Sequence, residues 1–413
     1  MKLKKKSKIN FFNKIVNKVK NFYQKKILKN RMRFNFRETI MYMLITFAFG
    51  MIIGGIIMYG KGSFSSKTSL SLNEFIATFN EISSSYYQDV DDDKLLEAGI
   101  SGMISYLGDP YATYMNKEEA SSFTEDVDGT YSGIGAEVKY NDNKVTLGRI
   151  FDESPASKAG LKEGDILIKV NGESIEGKSL TFVANAVKGE PGTDVVLTII
   201  RDKKEMEFTI KRGTVDSISV ISEMIEKENK KIGYIYMSIF AANTYDQFKK
   251  ELESLEEKKI DSLIIDLRSN QGGYLTTVTN IISLFVKKGE PIYQLKTKDK
   301  VEIVYDKTEE SRSYPIVLLV NSSSASASEV LTGALKETYN AKIVGTTTYG
   351  KGKVQKVTTL SNGSIVKYTY QEWLTPKGNY IDKVGITPDY EIKYVYDEKI
   401  DNQKEKAIEI LLK

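Results

Sequence analysis

Histidine and cysteine are both absent from this 413-residue chain, and each absence removes a class of chemistry. Without cysteine there is no disulfide framework, so stability rests on the core alone. Without histidine there is no imidazole to take a proton from a serine nucleophile, which excludes a serine hydrolase of the usual kind. A hydrolase made from this chain needs another proton acceptor. Acid is scarce in one region only: residues 1–39 hold fourteen Lys or Arg and a single carboxylate, Glu38. Setting these aside from the totals of 59 basic and 55 acidic residues leaves 45 against 54, a net of −9. The overall charge of +4 therefore averages two unlike regions, and the mildly acidic body carries no nucleic-acid footprint.

What is present begins with length and an apolar run. A chain of this size with 41% apolar residues holds two or three globular domains. Ile40–Gly60 is uncharged over 21 residues, the length of one membrane-spanning helix. A signal peptide would end in a small-residue cleavage site, and Met58-Tyr59-Gly60-Lys61 offers none. The run is read as an uncleaved anchor, with the basic segment 1–39 cytoplasmic and attracted to anionic lipid, and everything after residue 60 outside the cell membrane.

Beyond the anchor, residues 61–72 form a Ser-rich linker. Residues 73–127 read as helical, with Phe75, Ile76, Phe79 and Ile82 at three- and four-residue spacing and a turn at Gly108-Asp109-Pro110-Tyr111. Residues 128–214 change to short strands and turns, with Asn171-Gly172 a hairpin signal. Residues 215–395 alternate short apolar strands with helices, which argues an α/β core. The strands are Ile232–Met237, Ser262–Leu267, Ile316–Asn321 and Lys342–Gly345; the helices are Thr244–Glu256, Tyr274–Val286 and Ala327–Thr338. The lysine-rich tail, 396–413, is expected to form a helix on the edge of that core. No internal repeat is found.

Three short segments carry chemistry. In Ser324-Ala-Ser326-Ala-Ser-Glu329 a helix begins at about Ala327, so Ser326 stands where unpaired N–H groups and the helix dipole favour an oxyanion. The plainer reading is a capping box between Ser326 and Glu329, and with serines at 322, 323, 324, 326 and 328 spacing alone selects none of them. In Gly345-Thr-Thr-Thr-Tyr-Gly350-Lys351 the pattern nearly matches a phosphate-binding loop. It fails because Gly352 stands where Ser or Thr is needed and Val354–Leu360 alternates like a strand instead of opening a helix. A plain glycine hairpin is the remaining alternative to a lysine base. As a base, Lys351 must lose roughly 3 units from a free pKa of about 10.4, which burial among apolar neighbours can supply. Gln355, four residues on, can serve it only if the local backbone departs from an ideal strand, and a neutral amide there could orient the amine without restoring its charge. The third segment, Ile264-Ile-Asp-Leu-Arg268-Ser-Asn270-Gln-Gly272-Gly273, is a strand entering a double glycine, either a common βα turn or a source of one exposed backbone amide. A separate Ser364-Ile-Val-Lys367 tetrad is rejected, because in a strand its two side chains point to opposite faces.

Taken in order, L-R-x-N-x-G-G, S-A-S-A-S-E, G-K-G-x-V-Q and the closing Gly385-Ile-Thr-Pro-Asp389 resemble the C-terminal processing peptidases, the serine–lysine tail-specific proteases of bacterial envelopes and chloroplasts. The resemblance spans residues 70–395 and includes Leu107-Gly-Asp-Pro-Tyr-Ala-Thr-Tyr114. It implies a crotonase/ClpP-like α/β protease core with an inserted PDZ β-domain and an N-terminal helical region, which follow the one transmembrane helix read above from the uncharged run. It implies Ser326 as nucleophile, Lys351 as general base, Gln355 in support, and oxyanion amides on Ala327 and on the glycine pair, Gly273 in particular. Residues 130–213 resemble the family's PDZ domain, with Gly133, Ile134, Gly135 and Ala136 in the loop that binds a peptide carboxylate through backbone N–H groups. Asp152-Glu-Ser-Pro-Ala-Ser-Lys-Ala-Gly-Leu161 and Gly164-Asp-Ile-Leu-Ile-Lys-Val-Asn-Gly172 fit the later PDZ landmarks. Lys188 stands where some members carry an arginine thought to relay ligand binding to the active site. The implied activity is a membrane-anchored serine endopeptidase acting on proteins through their C-terminal tails, without metal, cofactor or nucleic acid, and a homodimer is left open. The competing expectation is a non-catalytic PDZ adaptor that binds tails on a protease-like fold.

Overall fold

The computed structural model describes residues 17, 18, 46, 71–141, 144–396 and 400–413. The expected cytoplasmic segment and the anchor at 40–60 lie outside the described residues except at those isolated positions. Among the described residues no helix is long and apolar enough to cross a membrane. The chain divides into two units, residues 1–90 and 91–413. The first presents α1 (Leu72–Ser85), started by Ser71. Ser71 Oγ accepts the Glu74 N–H while the Glu74 carboxylate takes back the Ser71 N–H, so two otherwise orphaned donors are satisfied.

The second unit opens with α2 (Asp92–Tyr106), β1 (Thr113–Met115) and α3 (Lys117–Asp128). The region expected to be wholly helical thus contains a strand. β1 is three residues long and pairs antiparallel with a strand some 250 positions downstream, Thr113 opposite Lys367. No local periodicity could announce it.

Next comes a small β-domain: β2 (Thr130–Gly133), β3 (Ala136–Asn141), β4 (Lys144–Ile150), α4 (Pro155–Lys158), β5 (Ile166–Val170), β6 (Glu173–Ser174), α5 (Leu180–Val187), β7 (Asp194–Arg201), β8 (Lys204–Lys211) and β9 (Gly213–Asp216). Its sheet runs β3-β4-β5-β7-β8, and Leu147, Leu197, Ile199 and Val183 fill a core of its own. Strands β2 and β9 pair as a two-stranded ribbon through which the chain enters and leaves. At the exit, Arg212 donates to the carbonyls of Ala186, Val187 and Asp194, closing the C-terminal end of α5.

The remaining elements are β10 (Val220–Lys227), β11 (Lys230–Met237), α6 (Thr244–Glu257), β12 (Ser262–Asp266), α7 (Leu275–Ile282), β13 (Pro291–Lys296), β14 (Val301–Tyr305), β15 (Ile316–Val320), α8 (Ala327–Thr338), β16 (Lys342–Gly345), β17 (Lys353–Thr359), β18 (Ile365–Leu374), β19 (Tyr390–Glu391) and α9 (Asn402–Leu412). The main sheet is ordered β10-β11-β12-β15-β16-β19, parallel except at the β10 edge. Its central strands β12 and β15 are buried at every position, as parallel strands covered on both faces must be. Leu263, Ile265 and Leu318 face α6, α7 and α8, whereas Ile264, Val317 and Val344 face α9. The C-terminal helix therefore lies on a face of the sheet, through Ala407, Ile408 and Leu411, and not on its edge. It belongs to the core instead of forming a tail. Burying Ile408 and Leu411 contributes about 3–6 kcal/mol as an upper bound. A second sheet, β1-β18-β13-β14 with β17 beside β18, stands next to the first.

Candidate active site

Three turns at the C-terminal ends of β12, β15 and β16 meet beside the main sheet, the usual place for a site in an open α/β sheet. Asn270, fully buried, organises the first two. Its side chain accepts the Gly272 N–H (2.9 Å) and donates to the Met237 carbonyl (3.0 Å), while its own carbonyl takes the Ala325 N–H (3.0 Å) and the Ser328 hydroxyl (2.8 Å). Both glycines are needed. A methyl group on Gly272 (φ +106°) would stand 2.9 Å from Ser326 Cβ and 3.0 Å from Ala327 N, and on Gly273 (φ +146°) it would collide with the Phe240 carbonyl.

The structure separates the five serines. Ser322 and Ser323 are exposed in the turn. Ser324 and Ser328 are fully buried, and their hydroxyls donate to the Leu267 and Asn270 carbonyls, both at 2.8 Å. Ser326 is half-buried at the start of α8, with φ +53° and ψ −114°, a conformation that non-glycine residues rarely adopt and that typically persists only where the surroundings impose it. Next to it, the Ala327 and Gly273 N–H groups donate to no group among the described residues, whereas Gly272 N–H is taken by Asn270. Two unengaged donors near a strained serine suit an alkoxide or a tetrahedral oxyanion.

Glu329 joins the serine turn to the lysine turn, a role the capping-box reading missed. This fully buried carboxylate does reach back to the Ser326 N–H (2.9 Å), but it also accepts from Thr348 Oγ1 (2.6 Å), Gly350 N (2.7 Å) and Lys351 N (2.8 Å). Its polar partners come from two segments more than twenty residues apart. Gly350 and Gly352 in turn pack against the backbone of Asp382–Gly385, so the closing Gly385-Ile-Thr-Pro-Asp389 motif is the wall of the lysine turn.

Lys351 is half-buried at the entrance to β17, and its carbonyl accepts from Trp373 Nε1 at 2.9 Å. Burial pushes its pKa below the ordinary lysine value and the nearby Lys367 adds to this, while Asp109 and Glu329 act in the opposite sense. Its ammonium lies 4.8 Å from the centroid of the Tyr111 ring. No hydrogen bond joins it to the Ser326 hydroxyl. Gln355 falls at a register shift in the β17–β18 ladder, and its amide donates to Thr369 Oγ1 at 3.4 Å instead of reaching Lys351. Of the two rejected patterns, Gly345–Lys351 runs on into a strand as expected, whereas Ser364 lies just before β18 and not within it; its hydroxyl bonds Asn362 while Lys367 sits over the Phe123 ring (5.0 Å).

In the small β-domain, Gly133 ends β2, Ala136 begins β3, and the turn between them holds Ile134 and Gly135. The Ile134 carbonyl accepts from Ala156 N (2.7 Å) and the Gly135 carbonyl from Phe151 N (3.0 Å). The Ile134 and Gly135 N–H groups donate to nothing among the described residues. Lys188, just past α5, places its ammonium 5.8 Å from the Tyr131 ring on β2. Among the described residues no cluster of carboxylates could hold a metal ion.

Comparison with known proteins agrees with this architecture. The profile of Peptidase family S41 matches residues 231–392, that of the PDZ domain residues 132–211, and that of the activating protease CtpB N-terminal domain residues 53–119. The carboxy-terminal processing protease CtpB of Bacillus subtilis is 40% identical over 331 residues, 79% of this chain and 69% of that one. A probable CtpA-like serine protease of Staphylococcus epidermidis is 37% identical over 340 residues, 82% and 68% of the two chains. Among solved structures, a photosystem II D1 C-terminal processing protease matches with TM-score 0.46 and 25% identity over 77% of this chain and 92% of that one. With relatives this similar over more than two thirds of their own length, the chain belongs to peptidase family S41, as a PDZ-containing serine-type C-terminal processing peptidase.

Proposed function

We propose that the chain is a membrane-anchored endopeptidase that captures the C-terminal tails of extracytoplasmic proteins in its PDZ domain and cleaves them with a Ser326–Lys351 dyad. The observation that carries this is the pairing of a strained, half-buried serine flanked by two unengaged N–H groups with a lysine whose surroundings disfavour its charge. In the scheme, the neutral Lys351 amine takes the Ser326 proton as Oγ attacks the scissile carbonyl. The oxyanion rests on Ala327 and Gly273 N–H, and the ammonium returns its proton to the leaving amine. Water then releases the acyl group from Ser326 by the same steps. The tail's carboxylate sits on the Ile134 and Gly135 N–H groups while the tail adds a strand to β3.

Residues 40–60 supply the anchor, with the basic segment inside and the protease outside the membrane, because the charge asymmetry across the run follows the positive-inside rule. Protease added to intact cells is then expected to digest the body, whereas lysis is needed to reach residues 1–39.

One observation favours the adaptor alternative: Ser326 and Lys351 are not hydrogen-bonded to each other. The two readings separate when the full chain is incubated with a protein ending in an apolar tail, beside Ser326→Ala and Lys351→Ala. Binding without cleavage by the unmodified chain would sink the enzyme. Cleavage that survives Lys351→Ala would remove the dyad and spare the protease.

A further inference from the structure

The contact between Lys351 and Tyr111 has no part in the hydrolytic scheme, yet it is built with care. Tyr111 lies in the turn between α2 and β1, in sequence 240 residues from Lys351. Asp109 fixes that turn at both ends: Oδ1 accepts the Tyr111 N–H (3.0 Å) and Oδ2 accepts the Thr369 N–H (3.2 Å) from β18. Two residues past Tyr111, Thr113 pairs with Lys367 in the ladder. The ring is therefore held against the same sheet that carries the lysine turn, with its centroid 4.8 Å from Nζ. Lys351 has no carboxylate partner within ion-pair distance among the described residues, and the aromatic face is a close contact of its ammonium, with Asp109 and Glu329 acting from beyond ion-pair distance.

A ring face attracts an ammonium through its quadrupole and has no comparable hold on a neutral amine. We propose that Tyr111 is a positioning residue for the Lys351 side chain: its ring holds the protonated form away from Ser326 and releases the neutral form to it. This rests on Lys351 being the base. The resting enzyme then keeps its dyad open, and loss of one proton both creates the base and frees it to move. The other groups facing the amine are Lys367 from β18, which disfavours its charge, and Asp109 from the turn and Glu329 from α8, which favour it. Tyr349 and Asp382 face the phenol, whose pKa burial pushes above its ordinary value, so the ring stays uncharged through the neutral range. Asp109, although burial opposes it, is held below the usual carboxylate range by the Thr369 and Tyr111 hydrogen bonds and keeps its charge.

The test compares Tyr111→Phe, Tyr111→Leu and pentafluorophenylalanine at position 111, which keeps the ring's shape and reverses its quadrupole, all in the full chain. Two readouts are taken: the pH profile of kcat/KM on a tailed protein, and a carbon-13 NMR titration of the Lys351 ε-carbon, assigned with Lys351→Met. The Phe variant is expected to keep both midpoints. The Leu and pentafluoro variants are expected to move both to lower pH by about 0.4 to 1.5 units, since they remove a contact that favours the ammonium. Midpoints unmoved in the pentafluoro chain, moved upward, or moved as far by Phe as by Leu would overturn the inference. A merely structural role would lower kcat without moving either midpoint. An NMR shift of the expected sign in a chain without peptidase activity would uphold the contact and reject Lys351 as base. Activity with an unmoved titration would reject the contact alone.

Discussion

Two lysines stand two residues apart at the entrance to β17, and their surroundings make them opposites. Lys353 bonds the Glu372 carboxylate at 2.5 Å, with Asp382 3.4 Å away, and Lys296 completes the cluster at 3.5 Å from Glu372. The bond to Glu372 is the main reason its pKa rises. Lys351 has an aromatic ring, a second lysine nearby and no carboxylate at ion-pair distance, and burial drives its pKa down. Residue type is the same, and one residue alone separates them. The presence or absence of a counter-charge separates a strut from a candidate base.

The comparison breaks most visibly in activity. Lys351→Ala is expected to lower kcat by about 10²–10⁴-fold, the range for a positioned proton acceptor. Lys353→Ala should leave kcat within about fivefold, because an ion pair that water still reaches contributes little. Equal losses in a steady-state assay would dissolve the distinction.

Glu329→Gln tests what holds Lys351 without neutralising it. The carboxylate accepts three backbone N–H groups and one hydroxyl, whereas an amide turns its NH₂ toward some of these donors and leaves them buried and unpaired. A stability loss of about 1–3 kcal/mol is expected in denaturant unfolding, with activity falling alongside it. Loss of activity at unchanged stability would mean that Glu329 acts on the amine itself.

The pH profile gives the third test. A lysine lowered from 10.5 is neutral above its folded pKa, so activity as a base is present above that value and lost as pH falls through it. Lys367→Met removes a like charge, so the Lys351 pKa should climb and the acid limb move to higher pH. At pH 7 the expected cost is below about tenfold, by analogy with one pKa unit or less. Stability follows the same linkage. Between the folded pKa and 10.5 the unfolded chain binds more protons at Lys351, so stability rises with pH over that window, and Lys351→Met should flatten the rise.

Much of the core was legible because it is local. Helix Ala327–Thr338 and strand Lys342–Gly345 coincide with their sequence patterns, and the motif order pointed to the turns that meet around Ser326. What escaped is non-local. α9 was readable as a helix, but its seat on the sheet face depends on Ala407 and Leu411 meeting Ile264 and Val317, positions about 90 to 150 residues earlier. Strand β1 exists only because β18 is there to pair with it. Glu329 looked like a cap because its nearest partner is Ser326, three residues away, while its other partners lie around 350. Tyr111 looked like a turn residue for the same reason.

The smallest effect sharpens the comparison from the other side. Glu372→Gln removes the counter-charge that makes Lys353 a strut, and both side chains are only partly buried, at 33% and 25% exposure. The change is expected to be about 0.5–1 kcal/mol or less, and weaker still in high salt. Its pH dependence carries two opposite signs. The Glu372 carboxylate is held below 4.5, chiefly by the Lys353 hydrogen bond, so its contribution is full above 4.5 and fades as pH falls through the folded value. Lys353 is held above 10.5, so its contribution is full below 10.5 and fades as pH rises through the folded value. Stability curves of the two chains should therefore run parallel between about pH 5 and 10 and converge outside that window. Lys351 has the opposite slope in a different window, its contribution rising with pH below 10.5 while that of Lys353 falls above 10.5, and finding the two variants' curves alike would mean that burial without a counter-charge does not set Lys351 apart.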